Sequence, residues 1–464
     1  MNQYYPLIMD DIAETALTEL DVKGEIPNWL NGELVRNGPG LFNFANVKLN
    51  HWFDGMAVIH KFSFKDGKVY YRSRFLQSTA YLSVKNEHKI SYGEFATSPK
   101  QSFIGRIYYL LKGEPTDNNN VNIVKFGKYY LAMTETDHHV LLDLETLSIV
   151  KAQVYDDNIK FMLNLAHPII GDGDKVFYNL GIKFGRISTY TLYKTDLHTG
   201  IRKIIAEIPT KKPAYIHSFA KTENYFILYE NPLRLNPLNM FLSKKPFIEN
   251  YTWDDVPVNF IILDKNGKIV RQIAFDKFFC FHVVNAFEDG DKIHLDLITY
   301  PNADIINAFY LEPKVNLDSK SIIPSLCRYV LDLETASCTS YKPDVPGIEF
   351  PGINSAYAEK QYNFIYAASS KNNNFKLDSL IKIDLAKNET KIWQQDQCLP
   401  GEPVFIADPT VQTEDTGVVI SMVADLKNKL SFLLILDAKS FSEIARILLP
   451  HLLPMGLHGT FHKA

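Results

Sequence analysis

Short apolar runs rich in Val, Ile, Phe and Tyr alternate along most of the chain with turns rich in Gly, Asn and Asp. Two examples are the runs at 68–72 and 292–298. Runs of this kind between turn-forming residues predict strands joined by hairpins. Apolar residues at helical spacing are rare. The pattern therefore predicts an all-β fold.

One hairpin pattern recurs. An apolar run ends in an aspartate, a short polar turn follows, and a second apolar run begins, at Asp66, Asp143, Asp196, Asp264, Asp332, Asp384 and Asp437. Aspartate suits this position because its carboxylate accepts hydrogen bonds from the amides of the turn. Seven such hairpins predict a seven-bladed β-propeller, and unrelated hairpins in a large β protein are the alternative.

Four histidines occupy a common position relative to these hairpins, 18 to 24 residues after an aspartate: His167, His217, His282 and His458. Glu349 and Glu402 follow their aspartates by 17 and 18 residues. If the strand after each outer hairpin is the innermost strand of the next blade, all six side chains point at one axis. Histidine is the commonest metal ligand, so the arrangement predicts a metal site. For any single histidine, a hydrogen-bonded core position is the alternative.

Composition and charge exclude several classes of protein. The net charge of -4 arises from interspersed signs, which argues against a nucleic-acid partner. The four cysteines form no CxxC pair, as expected of reduced thiols in a cytoplasmic protein. Residues 1–20 predict no signal peptide, and no apolar stretch is long enough to predict a membrane span. We expect one domain over 1–464 with a short N-terminal arm at 1–23.

Three stretches, at 24–32, 35–40 and 51–56, resemble the opening of the carotenoid cleavage oxygenase family. The resemblance extends to about Lys463 and covers nearly the whole chain. The family's four iron-binding histidines carry over onto the four histidines above, and its three iron-site glutamates onto Glu135, Glu349 and Glu402. The resemblance implies a seven-bladed propeller with a cap of loops and short helices over an axial iron site.

The resemblance also implies the chemistry: one Fe(II) per chain, O2 as co-substrate, and cleavage of a C=C bond in a carotenoid or apocarotenoid to aldehyde or ketone products such as retinal. Neutral imidazole suits Fe(II), and a carboxylate usually orients such a histidine through its other ring nitrogen. Three glutamates leave one histidine without such a partner, and we expect it to be His167. We expect no catalytic residue beyond the metal site, because the protein's task is to position the alkene and exclude water.

The candidates for an apolar substrate tunnel are Phe53, Phe95, Thr134, Tyr215 and Phe281, for which plain core packing is the alternative. Stilbene-cleaving relatives carry lysine and tyrosine where this chain has Thr134 and Phe95, so phenolic stilbenes are expected to be poor substrates. The stretches 134–136 and 215–219 are similar to the animal-type branch, which includes β-carotene oxygenases and the retinoid isomerase of the visual cycle.

Other functions remain open at this point. A retinyl-ester isomerohydrolase on the same iron site and a non-catalytic carotenoid-binding propeller are the main alternatives. A hydrolytic propeller with a carboxylate-bound calcium fits less well, because the predicted axial residues are mostly histidine. The oligomeric state and the identity of the cleaved bond stay undetermined.

Two apolar segments with basic flanks, at 102–112 and 238–247, are candidates for contact with a membrane surface. The alternative is a pair of cap helices packed on the propeller. With the absence of a predicted span, they suggest a cytoplasmic protein attached peripherally to the inner membrane surface.

The remaining histidines are expected to lie away from the metal. His51 and His60 flank a strand and are interpreted as structural. His138 and His139 lie in a polar stretch that predicts a solvent-facing turn, and His462 lies near the end of the chain.

Overall fold

A computed structural model describes residues 12–463 except 46, 100–114, 153, 172 and 371–375. Within these residues, seven antiparallel sheets of four to six strands form the blades of a β-propeller. The all-β, seven-bladed prediction is thereby confirmed. None of the described helices is long and apolar enough to cross a membrane.

The blades are numbered in chain order. Blade 1 contains Thr15–Leu20, Gly32–Leu41, Met56–Lys65, Lys68–Phe75 and Gly459–Lys463; blade 2 contains Asn122–Phe126, Tyr129–Met133, Val140–Asp143 and Ser148–Lys151; blade 3 contains Leu163–Asn164, Ile169–Gly171, Val176–Lys183, Ser188–Asp196 and Arg202–Thr210; blade 4 contains Ala220–Lys221, Tyr225–Glu230, Val258–Asp264 and Ile269–Phe275. Blade 5 contains Phe279–Asp289, Lys292–Tyr300, Ser325–Asp332 and Ser337–Tyr341; blade 6 contains Ile348–Gly352, Phe364–Ser369, Ser379–Asp384 and Glu389–Gln394; blade 7 contains Val22–Gly24, Cys398–Pro400, Val404–Ala407, Gly417–Asp425, Leu430–Asp437 and Glu443–Leu448.

Smaller elements lie in the connections within and between the blades. Two strand pairs stand apart from them, Asn43–Phe44 with Val47–Lys48 and Leu233–Leu235 with Tyr251–Trp253. The described α-helices are α1 (Thr79–Glu87), α2 (Pro237–Leu242) and α3 (Asp304–Ala308), and single 3-10 turns occur at Trp52–Asp54, Ile248–Asn250 and Ser355–Tyr357. Helix α1 lies in the connection between blades 1 and 2, whereas α2 and α3 lie between the second and third strands of blades 4 and 5.

The seven aspartate turns occupy the same place in every blade. Counted from the axis, each lies at the hairpin between the third and fourth strands. In blades 2 to 7 the aspartate carboxylate accepts backbone N–H bonds from the turn, for example from Thr146 to Asp143 at 2.9 Å. In blade 1, Asp66 adopts a left-handed φ of 50° and Gly67 follows at 77°. The repeat read from the sequence is therefore a structural repeat.

Both ends of the described chain contribute to closing the propeller. Gly459–Lys463 pairs with Gly32–Leu41, so the innermost strand of blade 1 comes from the C-terminal end. Thr15–Leu20 and Val22–Gly24 form the outermost strands of blades 1 and 7. The described part of the predicted N-terminal arm thus belongs mainly to these two blades.

The blades pack through aliphatic and aromatic side chains on their faces. Phe62 and Phe64 of blade 1 share one buried cluster with Leu433 and Ile435 of blade 7. Burying one such side chain contributes about 1.5–3 kcal/mol, so each interface between blades is substantially stabilising. The packing holds the innermost strands, which bear the site, in fixed positions.

Candidate metal centre

Four histidines converge where the innermost strands of blades 1, 3, 4 and 5 meet. His282 lies within such a strand, His458 directly precedes one, and His217 lies three residues before one. His167 lies between the two short inner strands of blade 3. One ring nitrogen from each lies within 4.8 Å of the others, and the Nε2 atoms of His167 and His217 are 2.9 Å apart. The structure therefore brings the four predicted residues together.

The reason for their common spacing differs in one detail from the expectation. The aspartate hairpins join the third and fourth strands, so a complete outer strand separates each hairpin from the innermost strand of the next blade. The spacing of 17 to 24 residues includes that outer strand. Glu349 and Glu402 lie in or beside the innermost strands of blades 6 and 7, whereas Glu135 follows the second strand of blade 2. Its position does not follow from the repeat.

Each predicted glutamate holds one histidine. The hydrogen bonds run from His217 Nδ1 to Glu135 at 2.6 Å, from His282 Nδ1 to Glu349 at 2.5 Å and from His458 Nδ1 to Glu402 at 2.8 Å. Because Nδ1 carries the proton, Nε2 keeps its lone pair, as metal ligation requires. The Nε2 atom of His282 is buried without a hydrogen-bond partner. His167 makes no such contact with the three glutamates, in keeping with the expectation.

Electrostatics favour neutral rings at His167 and His458 and a charged carboxylate at Glu349. Burial lowers the pKa of His167 well below its usual value, and the other three rings lower it further. Burial also lowers the pKa of His458, although Glu402 acts in the opposite direction. For Glu349, burial tends to raise the pKa, but the electrostatic interaction and hydrogen bond with the His282 N–H hold it below its usual value. These are the protonation states that a cation bound by imidazoles needs.

A further layer of residues fixes the glutamates. Tyr215 donates its hydroxyl to Glu135 at 2.9 Å, Tyr300 donates to Glu349 at 2.7 Å, and Arg36 donates to Glu402 at 2.5 Å. The sequence predicts Tyr215 only as a tunnel residue and predicts no role for Tyr300 or Arg36. No local motif could have linked Arg36 to Glu402, because 366 residues separate them and only the closure of the propeller joins them.

The donor set fits a divalent transition metal. Four imidazoles with one unpartnered buried Nε2 match iron, zinc, copper or nickel. Calcium requires six to eight oxygen ligands, whereas the three carboxylates here are already bonded to the histidines. The residues therefore do not support the calcium alternative.

A cavity of about 620 Å³ opens directly onto the histidines. His217, His282 and His458 form part of its wall, and so do all five tunnel candidates: Phe53, Phe95, Thr134, Tyr215 and Phe281. The rings are in contact, with centroids 5.1 Å apart for His217 and Phe281 and 5.3 Å for Phe53 and Phe95. The volume and the aromatic lining suit an apolar small-molecule ligand. Met162, Phe184 and Leu377 also line the cavity and were missed, since nothing in their local sequence marks them.

Comparison with known proteins agrees with this geometry. The family model described as "Retinal pigment epithelial membrane protein" matches residues 10–463. The chain belongs to this family. The human mitochondrial carotenoid-cleaving dioxygenase is 34% identical to it, over 95% of this chain and 87% of that protein. The mouse β,β-carotene 15,15'-dioxygenase is 31% identical, over 95% and 88%. The resemblance to carotenoid cleavage oxygenases is confirmed.

Solved structures of the family extend the likeness to three dimensions. A structure of cobalt-substituted apocarotenoid oxygenase from Synechocystis aligns with a TM-score of 0.88 at 26% identity, covering 98% of this chain and 97% of that one. A crystal structure of a chimera of that oxygenase with a retinal pigment epithelial protein aligns equally well, also with a TM-score of 0.88. Members of this family are iron-dependent in general, which agrees with the four-histidine group.

One prediction about the remaining histidines is wrong. His139 is buried, and its ring bonds to the Tyr155 hydroxyl at 2.8 Å and the Thr134 carbonyl at 3.0 Å. The polar neighbours suggested a solvent-facing turn, but the ring finds internal partners and its pKa falls to about 3 through burial. His51 and His60 are also buried, as expected of structural residues.

One of the two predicted membrane segments lies within the described residues and the other does not. Residues 102–112 lie outside the described part of the chain. In the segment 238–247, helix α2 ends at Leu242, and Leu238 and Leu242 are 66% and 73% exposed. Lys244 and Lys245 follow at the wall of the cavity.

Proposed function

We propose that this chain is a non-haem Fe(II) dioxygenase that cleaves a C=C bond of a carotenoid or apocarotenoid into aldehyde or ketone products. The observation that carries the proposal is the direct opening of the four-imidazole centre into an apolar, aromatic-walled cavity. The curated relatives are named for carotenoid cleavage, which supports the same reaction class.

His167, His217, His282 and His458 would hold the iron, and Glu135, Glu349 and Glu402 orient three of these rings through Nδ1. When bound, Fe(II) supplies Lewis acidity and electron transfer towards O2. The glutamates keep each Nδ1 proton in place, so the rings present Nε2 throughout turnover. We expect no catalytic residue beyond the metal site, because the reaction requires the protein mainly to position its substrate.

The aromatic wall aligns the polyene and excludes water. Phe281 lies beside His217, and Phe53 touches both Phe281 and Phe95, so aromatic surface extends away from the metal centre without interruption. A rigid, flat polyene matches such a slot, and the wall would hold one of its double bonds near the metal-binding histidines and exclude water. Thr134 and Phe95 offer neither the lysine nor the tyrosine of stilbene-cleaving relatives, so we infer that phenolic stilbenes bind poorly.

We also infer that the protein docks on a membrane surface, on its cytoplasmic side, to collect so apolar a substrate. The exposed Leu238 and Leu242 on α2 and the adjacent Lys244 and Lys245 combine apolar and cationic groups beside the cavity. Such a surface binds interfaces that contain anionic lipids. Flotation with phosphatidylserine vesicles tests this, and a protein that stays in the dense fraction contradicts it.

The decisive experiment is anaerobic loading with Fe(II), followed by incubation under air with β-carotene, an apocarotenal, a hydroxystilbene and a retinyl ester. The products are separated and weighed by mass spectrometry while O2 uptake is recorded. We expect carbonyl products from a carotenoid or apocarotenoid with matching O2 consumption. The metal-free protein serves as the control.

Each other outcome contradicts the proposal in a specific way. Retinol formed from the ester without O2 uptake would support the isomerohydrolase alternative. Cleavage of the stilbene alone would show that Thr134 and Phe95 do not set specificity as inferred. Bound pigment without turnover at full iron loading would support a carrier.

A further inference from the structure

Arg36 is an almost completely buried cation beside the metal centre, with 2% of its surface exposed. Its Nη1 donates to Glu402 Oε2 at 2.5 Å, and its Nη2 donates to the Leu457 carbonyl at 2.9 Å. The other oxygen of Glu402 accepts the bond from His458. One carboxylate therefore separates the guanidinium from a candidate metal ligand.

The backbone is shaped to admit this side chain. A Cβ atom at Gly459 would lie 2.4 Å from Arg36 Cδ and 2.6 Å from the Val35 carbonyl, so any larger residue would displace the arginine. Gly459 also donates its N–H to Glu402 Oε2 at 2.9 Å. Glycine at position 459, next to the candidate ligand His458, thus leaves the space that the Arg36 side chain occupies.

The three glutamates differ in the charge of the group that donates their outer hydrogen bond. Glu135 and Glu349 receive their outer hydrogen bonds from the neutral hydroxyls of Tyr215 and Tyr300, whereas Glu402 receives one from a full positive charge. All three carboxylates act only as acceptors, towards a histidine N–H and at least one further donor, which is the ionised form. Neutral hydroxyl donors serve the other two glutamates, so what an arginine adds at Glu402 is its positive charge.

The charges of the described groups at the site can be counted. Three carboxylates carry three negative charges, four imidazoles are neutral, and Arg36 adds one positive charge, which leaves a net charge of about minus two. A divalent cation neutralises this cluster, whereas a trivalent one leaves an excess positive charge in a buried site. Uncompensated charge is costly there because the low dielectric strengthens every interaction and salt screens it little.

We propose that Arg36 sets the charge of this centre to match a divalent ion, and so holds the iron in the ferrous state by disfavouring Fe(III). The inference rests on the proposed iron site and goes beyond it by assigning Arg36 as a positioning residue that acts through Glu402. It concerns the one-electron couple between Fe(III) and Fe(II), with the electron supplied by an electrode through a mediator.

The test measures the reduction potential of the iron-loaded protein by spectroelectrochemistry, in the absence of substrate. Arg36→Gln removes the charge and keeps a hydrogen-bond donor, and Arg36→Lys keeps the charge. We expect Arg36→Gln to favour Fe(III) over Fe(II) at least tenfold more than the parent protein, a fall of about 59 mV for one electron. Arg36→Lys should restore most of the difference.

Glu402→Gln provides the opposite change of charge. It breaks the same ion pair as Arg36→Gln, keeps an amide oxygen that can accept from His458 Nδ1, and makes the centre less negative, so it should raise the potential. Opposite shifts for the two variants are the result expected from charge. If Arg36→Gln does not fold, a rise in Glu402→Gln still supports the proposal and a fall overturns it.

Arg328→Gln is the matched control, since Arg328 is paired with Asp296 in blade 5 and contacts none of the site residues. Its potential should equal that of the parent. An unchanged potential in Arg36→Gln at full iron loading would overturn the inference and would show that Arg36 merely orients Glu402. If the parent protein binds no iron at all, the proposed function itself fails, and the two failures are therefore distinguishable.

Discussion

Two sets of histidines in this protein are both largely shielded from solvent, and they differ in their partners. On the axis, His217, His282 and His458 each give Nδ1 to a carboxylate and turn Nε2 towards the other rings. Away from the axis, the buried rings bond only to neutral groups: His51 to the Ile306 carbonyl, His60 to the Tyr71 hydroxyl, and His139 to a carbonyl and a hydroxyl.

The difference shows that burial alone does not mark a ligand. A carboxylate on Nδ1 raises the basicity of Nε2 and fixes its direction, whereas a neutral partner satisfies a ring without preparing it for a cation. Burial lowers the pKa of His51, His60 and His139 to about 3 each, so these rings are locked as neutral structural groups. Three changes test this division, in order of expected effect.

Removing an axial ring should have the largest effect. His217→Ala deletes one of the four ligands and leaves Glu135 facing the gap, so we expect loss of nearly all bound iron and at least a thousandfold lower cleavage activity at an intact fold, on the order of the loss of a required catalytic group. Iron content by elemental analysis and far-ultraviolet circular dichroism check both parts. Stoichiometric iron with full activity would remove His217 from the site.

Changing a carboxylate that orients a ring should have an intermediate effect. Glu349→Gln keeps the size of the side chain but weakens its hold on His282, so we expect metal affinity to fall by about 10- to 100-fold. Titration with Co(II), followed by its visible absorption, measures the change. His139→Gln is the comparison, because it alters a buried ring off the axis and should leave the affinity unchanged. Equal affinities in all three proteins would contradict the role of Glu349.

The smallest effect is expected in the pH dependence of the free energy of unfolding, through the buried rings away from the axis: His51, His60 and His139. Their pKa is near 3 in the folded state and near 6.5 when unfolded, so the unfolded chain binds more protons between these values. The stability that they contribute is complete above about pH 6.5 and is lost as the pH falls towards 3, by about 1.4 kcal/mol per pH unit for each ring.

Urea unfolding of the metal-free protein between pH 7 and pH 5 measures this slope. His139→Gln removes one of the titrating rings, and its slope should be smaller by about the contribution of one proton. A slope identical to that of the parent would mean that His139 is not neutral in the folded protein.

Most of what could be predicted about the fold follows from the repeated hairpin with its turn aspartate. Asp143, Asp332 and the other turn aspartates act through neighbours two to four residues away, so short-range chemistry reveals them. The four histidines and Glu349 and Glu402 share a common spacing from these turns, because innermost strands recur at a nearly constant distance. Glu135 does not lie at this spacing from a turn aspartate, and only the family resemblance indicated it as a site residue.

Contacts that depend on distant packing could not be predicted. Tyr300 meets Glu349 across 49 residues, and Arg36 meets Glu402 across 366. His139 was misjudged because its polar neighbours suggested solvent, while Tyr155 and the Thr134 carbonyl provide internal partners only in the folded protein. Where a side chain's partner lies on another blade, the local sequence contains no sign of it.

The closure of blade 1 by Gly459–Lys463 has a consequence for how the enzyme matures. Synthesis runs from the N-terminus, so a growing chain acquires its first three ligands by residue 282 but lacks His458 and the strand that seats it for a further 176 residues. We expect iron to enter only after that strand is made. Chains truncated before residue 458 should then retain far less iron than a chain that includes residues 458–463. Iron loading would thus report a completed ring.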